Sequence, residues 1–277
     1  MSPASQTHKK LPRLRTVFIS DVHLGFRGCQ AAYLLDFLEN LDAEQLVLVG
    51  DIVDLWSLKR SMYWPIEHQD VLKAILKIAR SGTKVVYVPG NHDEGFRELC
   101  GGEVAGIDIR RDFIHEAADG RRYLVLHGDD FDGAVKFSGW LKHFGEFMYD
   151  VLLWAGRGIQ AVRRRFGFGY WSLATWIKNG VPDARRYIER FEHAAAHAAV
   201  RHGLDGVICG HIHRPEIREV DGIRYCNDGD WVEHCSALVE DRNGRLALIR
   251  WTERADVLGV AEPAAAPLPV AALDSAA

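Results

Sequence analysis

Residues 83–94 read TKVVYVPGNHDE. Val85, Val86, Tyr87 and Val88 form a β-branched and aromatic run without helical spacing, the pattern of a buried strand, and Pro89-Gly90 ends it. The chain then sets an amide, an imidazole and two carboxylates side by side, Asn91 to Glu94. A tight turn accepts any small polar residues, whereas Asn91 beside His92 points to a site. The same grammar recurs. LRTVFIS (14–20) runs into Asp21-Val22-His23, EQLVLVG (44–50) into Asp51, RRYLVLHG (121–128) carries His127 near its end, and LDGVICG (204–210) runs into His211-Ile212-His213.

Between the first three of these runs lie AAYLLDFLENL (31–41) and HQDVLKAILKIARSG (68–82), whose apolar residues return every three or four positions. This βαβα order predicts an α/β protein with a mainly parallel sheet and helices against it. After about Gly210 the style changes: EIREVDGIRYCN (216–227) and SALVEDRNGRLALIRW (236–251) place D-G and N-G turns between strand-like runs. These antiparallel hairpins form either a second sheet or the far side of a mixed one. Residues 253–277, rich in Ala and Pro, read as a disordered tail, as do residues 1–13. One domain over 14–252 remains, long enough for a sizeable core, and no internal repeat is visible.

Composition limits the function. Lys and Arg number 34 against 38 Asp and Glu, a net charge of −4, so no global basic field advertises nucleic acid and none is expected as a partner. The five cysteines are scattered without a CxxC pair, which fits a reducing compartment. No apolar run reaches membrane-spanning length and the N-terminus lacks a secretory h-region. The expected location is the cytoplasm, with peripheral attachment to a membrane open; no oligomeric state follows.

If the strand ends gather at one edge of a sheet, Asp21, His23, Asp51, Asn91, His127, His211 and His213 converge. Mixed carboxylates and imidazoles suit Mn²⁺, Fe or Zn²⁺ better than Ca²⁺. Seven donors exceed one tetrahedral zinc, and sharing Asp51 gives two ions four protein ligands each. Such a centre activates water against phosphoesters. Each motif alone has an ordinary reading: Asn91 as a turn residue, His127 as a core histidine, Asp54 as a helix N-cap. Five of them closing strands in this order do not.

Residues 136–178 fit neither style. They hold Trp140, Trp154, Trp171 and Trp176, half of the chain's eight, and are basic in an acidic protein. Phe144, Phe147, Met148, Val151, Leu152 and Ala155 space out the apolar face of an amphipathic helix, while Arg163, Arg164 and Arg165 offer charge to phosphates or anionic lipid heads. A plain cap helix with a solvated basic face is the alternative.

DVH, GDIVD, GNHD, LHGD and GHIH, in this order, resemble the calcineurin-like metallophosphoesterase superfamily over about Val17 to Trp251. The resemblance implies a sandwich of two mixed β-sheets flanked by helices, with a helical cap inserted at about 136–190. It implies a dinuclear centre, Mn²⁺ first with Fe or Zn²⁺ as alternatives: Asp21, His23 and His213 on one ion, Asn91, His127 and His211 on the other, Asp51 bridging. His92 would then be a catalytic group that is not a ligand, oriented by Asp54, with Asp93 a turn or supporting residue. Within the superfamily, FISDVHLG, GDIVDLW, LHGDDFD, GHIHRP and NDGDWVEHCSALVE resemble the group around the bacterial UDP-2,3-diacylglucosamine pyrophosphatase, which releases UMP from a lipid sugar. That implies a lipid-linked pyrophosphate as substrate, the anionic inner-membrane surface as a partner, and Phe144, Phe147, Leu152, Trp154 and Arg163 to Arg165 in a cap that meets the acyl chains. One departure stands out: those pyrophosphatases commonly carry Arg where this chain has His92. A soluble phosphatase or nucleotide phosphodiesterase, and a non-catalytic metal-binding scaffold, are the competing expectations.

Overall fold

The computed structural model of the protein describes residues 10–134, 182–252 and 255–261. Two sheets form the frame. In the first, β1 (Leu14–Ile19), β2 (Ala43–Val49), β3 (Lys84–Val88) and β5 (Ile107–Ile109) run parallel, with the two-residue β4 (Glu103–Val104) antiparallel at the edge. Its other side is the antiparallel series β11 (Ser236–Glu240), β12 (Leu246–Trp251) and β13 (Ala255–Ala261), joined through β11 to β1. The second sheet has the order β6-β7-β8-β10-β9, from β6 (Phe113–Glu116), β7 (Arg122–Val125), β8 (Gly206–Cys209), β9 (Glu216–Val220) and β10 (Ile223–Asn227). Here β7, β8 and β10 are parallel.

The period of two along each strand sorts the side chains into layers. Phe18, Val47, Val49 and Val86 point between the sheets to meet Tyr123, Val125, Ile208 and Cys226. Their neighbours Val17, Ile19, Leu46, Leu48, Val85 and Tyr87 face outward onto α1 (Ala31–Glu39) and α3 (Ile66–Arg80). On α1 the buried set Leu34, Phe37 and Leu38 repeats at helical spacing, and Phe37 lies 5.3 Å from the Trp231 ring and 5.5 Å from that of Trp251. Across the molecule, Leu124, Leu126, Val207, Cys209 and Tyr225 pack on Phe191, Ala195, Ala196 and Ala199 of α4 (Pro182–Arg201). Both sheets are therefore covered on their outer faces, the expected sandwich of mixed sheets flanked by helices. The inserted cap falls mostly in residues outside this description.

Both expectations for the hairpins hold, one each: the 216–227 hairpin closes the second sheet and the 236–251 hairpin extends the first. Two boundaries are corrected. Residues 255–261, expected within a disordered tail, form β13 against β12, and Ala261 is buried with Leu246 and Leu248. The prolines that coloured the tail, Pro263, Pro267 and Pro269, all follow this strand. Residues 182–190, expected in the cap, begin α4, with Ile188 buried; nothing in composition separates them from the packing face that continues to Ala199. Among the described residues, no helix is long and apolar enough to cross a membrane.

Candidate metal centre

The turns that leave β1, β2 and β3 meet those that leave β7 and β8, so the candidate ligands come from the carboxyl ends of both sheets. Backbone bonds knit these turns together: Asp21 N donates to Gly50 O at 3.0 Å, His23 N to Asp51 O at 2.9 Å, and Gly210 N to His127 O at 3.1 Å. The backbone is also bent for the purpose. Asp21, His23, Asp51, His211 and His213 have φ of 51°, 54°, 54°, 71° and 51°. The left-handed region costs a side-chain-bearing residue about 1–2 kcal/mol, and five of the eight non-glycine residues found there among the described ones are candidate ligands. Strain of this kind gathers where function requires a geometry.

A third group of three donors, His23, Asp54 and His92, lies beside the two that the candidate ligands form, Asp21, His23 and His213, and Asp51, His127 and His211; the ligand atoms of each group lie within 4.8 Å of one another. Asp51 Oδ2 lies between the latter two, 3.3 Å from His127 Nε2 and 3.8 Å from His23 Nε2. His213 Nε2 is 3.2 Å and His23 Nε2 3.8 Å from Asp21 Oδ1. Asp21 Oδ1, His23 Nε2, Asn91 Oδ1 and His127 Nε2 are buried yet make no hydrogen bond. Leaving such atoms unpaired costs about 1–3 kcal/mol each, and their convergence, with mixed oxygen and nitrogen donors, fits a pair of divalent cations.

The second face of each ring is held. His127 Nδ1 donates to Val49 O at 2.8 Å and His23 Nδ1 faces Asp54 Oδ2 at 3.3 Å, which leaves Nε2 of both rings turned inward. Burial would raise the carboxyl pKa of Asp21, but His213 and His23 hold it well below the usual range. For Asp51, burial is likewise overridden by His127, and the carboxyl stays low. Burial opposes protonation of His127, yet Asp51 raises its pKa to about 10, and Asp21 and Asp54 raise that of His23 against the same burial.

His92 sits beside this cluster. Its backbone N donates to Asp51 Oδ1 at 2.8 Å, and its Nδ1 lies 3.1 Å from Asp54 Oδ1. The ordinary reading of Asp54 holds, since it caps α2 (Leu55–Arg60) by accepting from Ser57 N at 2.7 Å, and the same carboxylate faces His92 and His23. Asp93 is a support, accepting from Ile52 N at 2.7 Å, Gly90 N at 2.6 Å and the Tyr87 hydroxyl.

Sequence reasoning missed Trp56, whose ring lies 4.3 Å from that of His92, and Ser20, which donates towards Asp21 Oδ2 and Asp228 Oδ1. It also missed Asp132, 2.9 Å from His211 Nε2. The third carboxylate of LHGDDFD was the available signal for Asp132; Trp56 follows the GDIVD motif after one residue, Leu55. Phe144, Phe147, Leu152, Trp154, Arg163, Arg164 and Arg165 lie outside the described residues.

Comparison with known proteins agrees with this geometry. The pattern of the family described as calcineurin-like phosphoesterase matches residues 14–215, and the chain belongs to that family. A protein of Xanthomonas campestris pv. campestris named UDP-2,3-diacylglucosamine hydrolase is 30% identical over 252 residues, covering 83% of this chain and 97% of the relative. One of the same name from Azotobacter vinelandii is 27% identical over 239 residues, covering 83% and 96%. Among solved structures, Yfce, a phosphoesterase from E. coli, aligns at 14% identity with a TM-score of 0.47, covering 90% of this chain and 99% of that one. The chain is a metal-dependent phosphoesterase of the calcineurin-like superfamily, loosely similar to the UDP-2,3-diacylglucosamine hydrolases.

Proposed function

We propose that this phosphoesterase cleaves a pyrophosphate or phosphodiester of a lipid-linked nucleotide sugar, UDP-2,3-diacylglucosamine-like, with release of UMP. The observation that carries hydrolysis is the set of buried, unpartnered donor atoms from both sheets, closed on one side by His92 and Asp54. The relatives' names, over nearly their whole length, support the substrate class. Asp21, His23 and His213 would hold one ion, Asn91, His127 and His211 the other, and Asp51 both, with Mn²⁺ the first choice and Fe or Zn²⁺ the alternatives. When bound, such ions supply Lewis-acid charge to a phosphoryl group and make water acidic enough to attack at neutral pH.

The chain's own groups do the rest. Val49 O and Asp54 keep Nε2 of His127 and His23 free as donors. Asp54 Oδ1, 3.1 Å from Nδ1 of His92, would orient that ring so that its Nε2 donates to a phosphoryl oxygen or protonates the leaving group. An Arg at this position could supply charge but no transferable proton. His92 is thus the specific observation in favour of a second reading, a soluble phosphodiesterase that needs a general acid for a poorer leaving group.

The cap residues Phe144, Phe147, Leu152 and Trp154, with Arg163, Arg164 and Arg165, are proposed to receive acyl chains and anionic headgroups at the cytoplasmic face of the inner membrane. An activity panel with Mn²⁺ decides between the readings by comparing a UDP-lipid sugar with bis-p-nitrophenyl phosphate and simple monoesters. UMP release with a preference for the long-chain lipid supports the first. Turnover of soluble diesters alone, with no binding to anionic liposomes at low salt, replaces it with the second.

A further inference from the structure

Each of His23 and His127 has one ring nitrogen held and the other facing the cluster; His211 follows the same rule with the last carboxylate of LHGDDFD as its partner. Its Nε2 lies 2.9 Å from Asp132 Oδ1, and the same oxygen accepts the Tyr187 hydroxyl at 2.5 Å. Burial, then Asp132 itself, pushes the Tyr187 hydroxyl pKa up, so it remains a donor. One turn further along α4, Phe191 lies roughly parallel to the His211 ring, 6.0 Å away at 30°, and adds a wall. The backbone of His211 is fixed as well, because its N donates to Asp21 Oδ2 at 2.8 Å.

We propose that Tyr187 and Asp132 are positioning residues that fix the tautomer of His211, with Nε2–H on Asp132 and Nδ1 presented to the metal beside Asp51 and His127. This rests on the dinuclear reading above. An acceptor at Nε2 selects the proton position, and partners at this remove from a metal commonly contribute 10-fold to 100-fold in affinity. The hydroxyl of Tyr187 shares the Asp132 oxygen with the ring and so helps to keep that partly exposed carboxylate, in the 3₁₀ helix Asp129–Ala134, aimed at His211.

The tests read the ring and the metal separately from turnover. In Zn²⁺-loaded protein, long-range ¹H–¹⁵N correlation, assigned through His211→Ala, should show Nδ1 metal-bound and Nε2 protonated. Titration against a chromogenic chelator should show one of two Zn²⁺ equivalents weakened about 10-fold to 100-fold in Asp132→Ala. Asp132→Asn, which retains an acceptor, should recover most of that affinity, and Tyr187→Phe should show a smaller loss of the same equivalent. Thermal unfolding of the metal-free variants checks folding, and Tyr187→Phe, which removes only a hydroxyl, keeps the test available if Asp132→Ala does not fold. Metal on Nε2, or two tight equivalents in both Asp132→Ala and Tyr187→Phe, overturns this inference alone. A wild-type protein that takes up no metal overturns the dinuclear reading and this inference with it.

Discussion

Replacing Asp54 with Asn separates the two imidazoles that this carboxylate serves. Oδ1 accepts from Ser57 N at 2.7 Å and lies 3.1 Å from His92 Nδ1; Oδ2 accepts from Ser57 Oγ at 2.8 Å and lies 3.3 Å from His23 Nδ1. Asn has the same shape but only one acceptor oxygen. Ser57 N can only donate, so the amide oxygen must take the Oδ1 place, where it still serves His92. The NH₂ then falls in the Oδ2 place, where Ser57 Oγ can turn to accept from it but the Nδ1–H of His23 cannot. The loss therefore falls on His23, whose Nε2 faces Asp21 and Asp51.

A charge-assisted hydrogen bond contributes about 1.5–3 kcal/mol, and about 1.4 kcal/mol is tenfold, so the affinity of one metal site should fall about 10-fold to 100-fold. At saturating Mn²⁺, kcat should fall only about 10-fold, from the weakened hold on His92. Asp54→Ala loses both contacts and the helix cap, and should add about 1 kcal/mol of instability. Activity on bis-p-nitrophenyl phosphate as a function of free Mn²⁺, with chelator competition for affinity, reads the two effects apart. Full metal affinity in Asp54→Asn, with a kcat loss as large as that of His92→Ala, would refute the assignment of Oδ2 to His23.

His92→Ala should keep both metal equivalents while kcat falls on the order of 10²-fold to 10⁴-fold, the range for a lost general acid or electrostatic contact; loss of an equivalent would show that His92 is a ligand. In metal-free protein, His127, raised from 6.5 to about 10, contributes stability that is fully present below about pH 6.5 and lost as pH rises through about 10. Its Tm should therefore fall over that window, whereas Mn²⁺-loaded protein, whose imidazoles are already neutral donors, should show little of this fall; an apo Tm that rises with pH contradicts the pairing. On the acid side, the low carboxyls of Asp21, Asp51 and Asp54 contribute stability above their ordinary value of 3.8 that is lost as pH drops below it, in a melt with EDTA. Phe37→Ala, which empties a site with no solvent exposure between Trp231 and Trp251, should cost about 3–5 kcal/mol in urea unfolding without changing metal stoichiometry.

Most of the frame was legible because burial on both faces turns a strand into a short β-branched run, and each such run here stops at a polar residue. The assignment of strands to sheets was not legible. Periodicity places Ile217 and Val239 on faces but carries no record of which neighbour will accept their backbone bonds, so the two hairpins could be told apart only in three dimensions. β13 was hidden by averaging, since Ala and Pro beyond residue 262 masked Val257, Leu258 and Val260. At the site, the seven candidate ligands were visible because each stands at a strand end. Trp56, Asp132 and Tyr187 stand out through what folding brings next to them: the ring of His92 for Trp56, Nε2 of His211 for Asp132, and Oδ1 of Asp132 for Tyr187.

The glycines of the motifs show why these stretches are spelled as they are. A Cβ on Gly90 would stand 2.3 Å from Asp51 Oδ1, and one on Gly210 would stand 2.2 Å from Ser20 Oγ and 2.4 Å from Asp21 Oδ2. Neither glycine is required by its own turn in isolation; each is required by a carboxylate delivered from a different strand. The G of GNHD therefore records the position of the D of GDIVD, and the G of GHIH records that of the D of DVH. A sequence that keeps all these spellings keeps the contacts between them, and the left-handed backbone at Asp21, His23, Asp51, His211 and His213 is tolerated because those contacts determine it from several sides at once. An ordinary polar strand end carries no such mutual constraint, and this interdependence distinguishes a shared site from five unrelated turns.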